Sequence, residues 1–570
     1  TENSKTNPLN VYGKHKLLCE RSLLKANKDV LILRTNFFGI SPFKDKIFEN
    51  IVETVNNNKQ INFTDKYFTT PIYVKDFSLI LLKAIQKKIS GIFNLVGNDR
   101  VSKYEFANFI LDAFKLDKRL LKKNNNTKLY FKAKRNLELS LSNNKIKKIL
   151  NIKIRSLNEQ ILDFAKTFEE DKKYLKQNIP YGRHSISKDD LNAVKKTLLS
   201  NNLTQGPQIQ KLENLVSEYV GSKFAITVSS CTAGLHLACM ALGLNKKSNY
   251  LTSPNSFVST ANAARYCESK IFFSDISLNS LNLDPLDVEK QIKKRKINCI
   301  GFVNFTGQAE GLRTIRNITK KKGIKIIEDA AHAFGAKYDC GSMVGSNKYS
   351  DITVFSFHPV KILAGGEGGI ITTNDEKIYK KILSLRTHGI LNDFHKPNYL
   401  RKNLAFTNGQ KNPWYYEMQN LGMHYRQTDI HSSLIISQFN KIDKFLKKRR
   451  VLARRFDKAF EKNEFIKPYL KEFRNISSNH LYVVDIDFEK IKLSRAEFIN
   501  RLKNYKIMTQ VHYIPIYSHL YYFELNNKKK FQMQNMEKYY KNCLSLPLYY
   551  DLNFNQQQYV INKINELTAL

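Results

Sequence analysis

Three short apolar runs between residues 224 and 356 share a pattern: β-branched and aromatic positions, few charges, and a polar or small-residue break at the end. They are FAITV from Phe224, IKIIED from Ile324 and DITVFS from Asp351. Runs of this length and composition predict buried strands. After the first, a Ser/Thr-rich turn over 229–234 leads into Leu235, Leu237, Ala238, Ala241 and Leu242, the start of an apolar helix. Near the beginning of the chain, Tyr12 and Lys16 are four apart and fall on one face of another predicted helix.

Chemistry gathers at the ends of these strands. The run through Ser356 is broken by Pro359 and presents Lys361, followed by Gly365, Gly366, Gly368 and Gly369. Such glycines let a backbone pass close to a flat ligand or adopt positive φ. Glu328 and Asp329 end the second strand, where ligands of α/β sheets bind, and His332 follows two alanines. Asp329 is placed to pair with a protonated pyridine nitrogen. The turn after the first strand offers free N–H groups and the positive end of a helix to a phosphate. Phosphate turn, carboxylate and lysine, in that order, are the inventory for pyridoxal phosphate. Taken singly, each residue has a plainer reading. Lys361 reads as a surface lysine beside a glycine turn, Asp329 as a helix N-cap before Ala330, and Phe257 as core. His332, His424 and His512 read as ordinary hydrogen-bonded histidines.

From about Lys176 onward the chain resembles the sugar aminotransferases of the DegT/DnrJ/EryC1/StrS family. The resemblance is carried by PYGRHSISKDDLNAVKKTLLSNNLTQGP from Pro180, SFHPVK from Ser356, RTHGI from Arg386, PWYYEMQNLGMHYRQTDI from Pro413, QVHYIP from Gln510 and LSLPLY from Leu544. Within the family these motifs are similar to the branch acting in pseudaminic acid biosynthesis. The resemblance implies an α/β fold-type I PLP-dependent transferase, with a large PLP domain and a small C-terminal α+β domain. It implies transfer of an amino group from glutamate to C4 of a UDP-linked 4-keto-6-deoxy-N-acetylhexosamine, in a homodimer whose active sites are shared. A dTDP sugar or a C3 amine is the alternative.

The same resemblance assigns roles. Lys361 would carry the cofactor and act as base and acid, Asp329 would keep the ring nitrogen protonated, and His332 would meet the phenolic oxygen. Thr232 and Ala233 would give N–H groups to the phosphate, Ser356 its hydroxyl, and Phe257 would stack on the ring. Gln308, His512 and Tyr513 would face the sugar nucleotide. Two positions depart from the family. His424 stands where relatives read an Asn that reaches the neighbouring subunit's cofactor phosphate, and Asn304 stands where relatives tend to carry a His. A related branch that dehydrates sugars has a histidine where Lys361 stands, so the lysine argues against that activity.

Residues 1–168 carry a different resemblance. PLNVYGKHK, LILRTNFFG, TTPIYVKDF, FNLVGNDRVSKYEFA and KRNLELSLSNNKIKKILNI are similar to the latter half of the dTDP-4-dehydrorhamnose reductase family. This implies a partial Rossmann-type sugar-nucleotide reductase lobe in which Tyr12 and Lys16 match the acid/base pair. No glycine-rich dinucleotide turn precedes them, so NAD(P) is expected only if a Rossmann half lies upstream, which is the favoured expectation.

The expected organisation is a reductase-like lobe over 1–168, a polar linker over 169–178, a PLP domain over 179–425 and a C-terminal domain over 426–570. KKNNN from Lys122 and LNNKKKF from Leu525 read as exposed loops. The 93 Lys and Arg against 51 Asp and Glu give a net charge of +42, which raises nucleic acid as a partner. The lysines are spread along the whole chain, however, so nucleic-acid binding is not expected; the field suits a nucleotide-sugar diphosphate. None of the seven cysteines forms a C-x-x-C pair, so neither a metal site nor a disulfide framework is expected. No apolar run approaches a spanning helix of about 18 residues, and a cytoplasmic, non-membrane protein is expected.

Overall fold

The computed structural model describes residues 1–27, 29–39, 47–124, 136–175, 178–391, 401–527 and 533–569. The chain divides into two compact units, Thr1–Lys176 and Gln177–Leu570.

In the first unit the helix Val11–Ala26 starts where Asn10 caps it, its Oδ1 accepting from Gly13 N at 2.8 Å. The strands Leu31–Arg34 and Gly91–Asn94 pair in parallel, with Leu31 opposite Gly91. The helix Lys103–Ala113 opens on a reciprocal capping box between Ser102 and Glu105. Its apolar face, Ala107, Ile110 and Leu111, packs with Ile51, Val55, Tyr73 and Phe164. Arg155 ties this layer electrostatically, bonding Asp76 at 2.7 Å and Asp163 at 2.9 Å.

The linker expected over 169–178 is helical as far as Leu175, as part of the helix Leu157–Leu175. The physical reason is local: EEDKKYL contains good helix formers and no Gly or Pro. Of the two loops expected near Lys122 and Leu525, Lys122 and Lys123 instead end the strand Leu121–Lys123, which pairs with Ile61–Phe63, and Leu525 ends the helix Leu520–Leu525; residues 125–126 and 528–531 lie outside the described residues.

The second unit is built on a seven-stranded sheet. Its order is Lys270–Phe273, Asn249–Thr252, Cys299–Val303, Lys325–Asp329, Ile352–Ser356, Gly369–Thr373 and Phe224–Val228. Six strands run parallel, and Gly369–Thr373 runs against both neighbours. Helices cover both faces, which explains why these strands read as continuous apolar runs rather than alternating ones. Ile300, Phe302, Ile326 and Phe355 face one core; Ile226, Ile327, Val354 and Ile371 face the other. A second sheet, Ile466–Pro468, Tyr482–Ile486 and Cys543–Leu546, is antiparallel. The helix Asp429–Phe439, placed by sequence in the C-terminal domain, packs on the helices Lys188–Leu198 and Pro207–Val220 instead. Its buried face, Asp429, Ser432, Ile435 and Ile436, leaves no solvent-facing boundary at 425.

Candidate active site

Two strands, Lys325–Asp329 and Ile352–Ser356, bring their carboxyl ends together with the turn that follows a third, Phe224–Val228. After Ile352–Ser356 the chain closes a tight loop: Lys361 N bonds His358 O at 2.9 Å and Gly365 N bonds Phe357 O at 2.7 Å. Phe357 N then bonds Gly368 O at 2.9 Å. The return requires φ of +79° at Gly366 and +149° at Gly368, backbone that L side chains rarely adopt. Lys361 is thus held by scaffold rather than by a free surface loop. Burial pulls its amine down to about 8, against the opposing pull of Cys231 and Asp329.

Asp329 ends its strand and is 4 % exposed. It does not cap a helix. Its Oδ1 accepts from Ala331 N at 3.1 Å in a local turn, and its Oδ2 accepts from the Thr260 hydroxyl at 2.5 Å. Burial pushes the carboxyl up from its ordinary value, while the Thr260 and Ala331 hydrogen bonds and then Lys361 act in the opposite direction.

The phosphate turn lies at the start of the helix Cys231–Ala241, where Ser230 is the N-cap. An open cleft of about 440 Å³ is lined there by Ser229, Ser230, Thr232, Ala233, His236 and Tyr425, among others. Close approach is possible because position 369 is glycine: a Cβ there would stand 2.8 Å from Cys231 N. One expectation changes. Ala233 N donates to Ser230 Oγ at 3.1 Å, so the serine cap uses an N–H expected to face phosphate. Ser356 is buried at its strand end, and its Oγ accepts from His358 N at 3.4 Å.

His332 lies deep in the site. Its Nε2 is 3.3 Å from the Tyr513 hydroxyl, its Nδ1 has no partner, and burial holds it well below the usual imidazole range. Tyr513 stacks near it, with ring centroids 6.3 Å apart, and Phe305 closes the other edge at 5.9 Å. His512 bonds Ser545 Oγ at 2.8 Å, and burial takes it down to about 3. Phe257 is 60 % exposed and lies 6.4 Å from Tyr513, so it is not core and its ring face is open.

Gln308 is a correction. It is fully buried, its Nε2 bonds Ser280 O at 2.6 Å and its Oε1 accepts from Glu310 N at 2.7 Å. Both ends of the amide are used inside the chain, so it shapes the loop rather than facing a sugar. His424 is exposed, with Nε2 2.9 Å from Arg426 Nη2. In the other unit Lys16 Nζ sits 5.5 Å from the Tyr12 ring centroid, and Tyr12 is 71 % exposed.

Sequence reasoning missed three features. Thr260 orients Asp329. Glu328 is fully buried and accepts from Asn304 Nδ2 at 2.8 Å, Tyr338 at 2.8 Å, Ser350 at 3.0 Å and Thr353 at 2.8 Å. His480 packs on His332 with ring centroids 4.4 Å apart. An apolar strand ending in two adjacent acids was a signal for Glu328; nothing local marked Thr260 or His480. Among the described residues, no group of three or more His, Cys, Asp or Glu could hold a metal, and no helix is long and apolar enough to cross a membrane.

Comparison with known proteins agrees with this geometry. The model of the DegT/DnrJ/EryC1/StrS aminotransferase family matches residues 184–565, and that of the RmlD substrate binding domain matches residues 1–170. The spore coat polysaccharide biosynthesis protein SpsC of Bacillus subtilis is 35 % identical over 391 residues, covering 68 % of this chain and 97 % of the relative. A UDP-4-amino-4,6-dideoxy-N-acetyl-beta-L-altrosamine transaminase of Campylobacter jejuni is 34 % identical over 385 residues, covering 67 % of this chain and 95 % of that one. The solved Helicobacter pylori PseC, an aminotransferase of pseudaminic acid biosynthesis, is 28 % identical with a TM-score of 0.62, covering 69 % of this chain and 100 % of that one.

Proposed function

The chain belongs to the DegT/DnrJ/EryC1/StrS aminotransferase family, and on that footing we propose that it aminates C4 of a UDP-linked 4-keto-6-deoxy-N-acetylhexosamine, with glutamate as donor. The observation that carries this reading is the meeting of Lys361, Asp329 and the Ser230 turn at one end of a single sheet. The relatives named above narrow the sugar.

The residues present fit pyridoxal phosphate. The cleft at the helix start suits its phosphate, Asp329 is a buried carboxylate for a ring nitrogen, and the unpartnered Nδ1 of His332 is a buried polar atom awaiting a partner. When bound, the cofactor supplies a carbonyl and an electron-accepting ring. The protein supplies the rest. Asp329 keeps a proton on the ring nitrogen. Lys361, with its amine near neutrality at about pH 8, takes and returns the proton at the substrate carbon. Phe257 offers an open ring face, and the neutral imidazoles of His332 and His512 contribute hydrogen bonds without adding charge.

The family resemblance makes the working unit a homodimer, and His424, exposed beside Arg426, would stand in as donor for the asparagine by which relatives reach the neighbouring copy's cofactor phosphate. The substrates belong to the cytoplasm, where nucleotide sugars and glutamate occur together. A PLP domain that begins near 179 and takes in the helix Asp429–Phe439 completes the reading. The test is an absorbance spectrum with pyridoxal phosphate before and after glutamate, beside Lys361→Ala. A visible band that glutamate bleaches and the variant lacks supports aminotransfer; no band in the parent protein sinks it.

A further inference from the structure

Within the second unit, three segments distant in sequence are knotted together beneath the site. Ser478 N bonds Gly307 O at 3.0 Å and His480 N bonds Thr306 O at 2.9 Å. The Ser478 hydroxyl donates to His332 O at 2.5 Å. The buried Arg449 guanidinium then fixes the far side, donating to His480 O at 3.2 Å and Leu548 O at 2.9 Å. The backbone on both sides of the His332 ring is thereby pinned, but among the described residues the ring itself has a single hydrogen-bond partner, the Tyr513 hydroxyl at 3.3 Å. One hydrogen bond leaves rotation about the ring axis open. Three rings flank His332, and the nearest is the imidazole of His480, 4.4 Å away at an interplanar angle of 41°, against 5.9 Å for Phe305 and 6.3 Å for Tyr513.

We propose that His480 is a positioning residue: its ring, on a backbone held by Arg449 and Thr306, sets the plane of His332 and, through the Tyr513 hydrogen bond that this plane permits, the tautomer in which His332 meets the cofactor. The inference rests on the cofactor reading above, yet it concerns a contact that exists without the cofactor. The groups facing His480 are His332, His512, Lys361 and Arg449, so no carboxylate is among the groups that act on it, and burial, with Lys361 and Arg449 nearby, favours neutral imidazoles. A neutral ring has one N–H and one lone pair, and which nitrogen carries the proton decides whether it donates or accepts at a ligand oxygen.

The test compares His480→Ala, His480→Leu and His480→Phe with the parent protein. The first readout is histidine imidazole NMR of the cofactor-free protein, with the His332 signal assigned by its loss in His332→Gln. In the parent His332 shows one tautomer and stays neutral through the physiological range. In His480→Ala it is expected to exchange between tautomers and to titrate closer to neutral pH, and His480→Phe, which restores a flat ring, returns it to a single form. The second readout is kinetic: kcat falls about 10- to 100-fold in the alanine variant with KM changed less than about twofold, as expected of misplacement without lost binding. His480→Leu fills the volume without a flat face, so it reports the same loss if the alanine variant does not fold. A His332 signal and pH profile unchanged in both the alanine and leucine variants, with only melting temperature lowered, overturns the proposal. Failure of the parent protein to bind pyridoxal phosphate would instead overturn the cofactor reading, and the NMR comparison would still decide the role of His480.

Discussion

The Thr260 hydroxyl donates to Asp329 Oδ2 at 2.5 Å, and Ser256 stands 2.8 Å behind that hydroxyl. A short helix, Ser259–Tyr266, therefore orients a carboxylate that ends a strand elsewhere in the sheet.

Thr260→Val keeps the shape and removes the donor. A hydrogen bond to a charged group contributes about 1.5–3 kcal/mol, so pyridoxal phosphate should bind about 10- to 100-fold more weakly. Thr260→Ser should recover most of the loss. Absorbance titration measures both, and wild-type affinity in Thr260→Val would remove Thr260 from the site.

Lys361 has a folded-state value of about 8 against an ordinary 10.5. Below pH 8 its amine is charged in both folded and unfolded chains, and burial of that charge opposes folding in full. Between 8 and 10.5 the folded amine is neutral while the unfolded one is still charged, so stability from this group rises with pH. Cofactor-free Lys361→Met should melt higher than the parent at pH 7, and the gap should shrink as pH climbs from 8 towards 10.5. A constant gap would show that the substitution acts through packing alone.

Glu328 is held by hydroxyl and amide donors with no cation in the set. Thr353→Val withdraws the donor at 2.8 Å from a fully buried carboxylate. The expected cost is about 1–3 kcal/mol, read as a lower melting transition of the second unit. Burial pushes the Glu328 carboxyl up, so acid should narrow the difference between variant and parent.

His424→Asn restores the residue usual in the family. If histidine serves as an adequate donor, cofactor retention on dialysis should change little, and His424→Ala should lose it faster. A large gain in the asparagine variant would mark the histidine as a defect.

For the first unit, NADPH titrated against this chain should give no saturable change in fluorescence. Tyr12 and Lys16 are present on one helix face, but the residues described here offer no glycine-rich turn for a pyrophosphate. Saturable binding would show that the lobe finds another way to hold a dinucleotide.

Much of the site was legible because its pieces are local. The strand through Ser356, the lysine after Pro359 and the glycines beyond it lie within a few residues, and the hydrophobic run with its breakers marks the strand end. The same holds for the Ser/Thr turn before Leu235. Gln308 misled because burial is not a local property: the residue stands among polar neighbours in sequence, yet Ser280 O and Glu310 N take up the two ends of its side-chain amide. The stretch after 168 misled for the opposite reason. Its missing apolar period suggested a linker, while helix formers without a breaker were enough to carry the helix to Leu175.

Sequence by itself determined the strands, the order of phosphate turn, carboxylate and lysine, and the presence of two units, since these follow from short-range patterning and motif order. Tertiary structure alone decided which groups meet: Thr260 with Asp329, His480 with His332, and the four donors around Glu328. Such pairings join segments far apart along the chain, and their energies depend on burial, which removes competing water and leaves each polar group only the partners that packing provides.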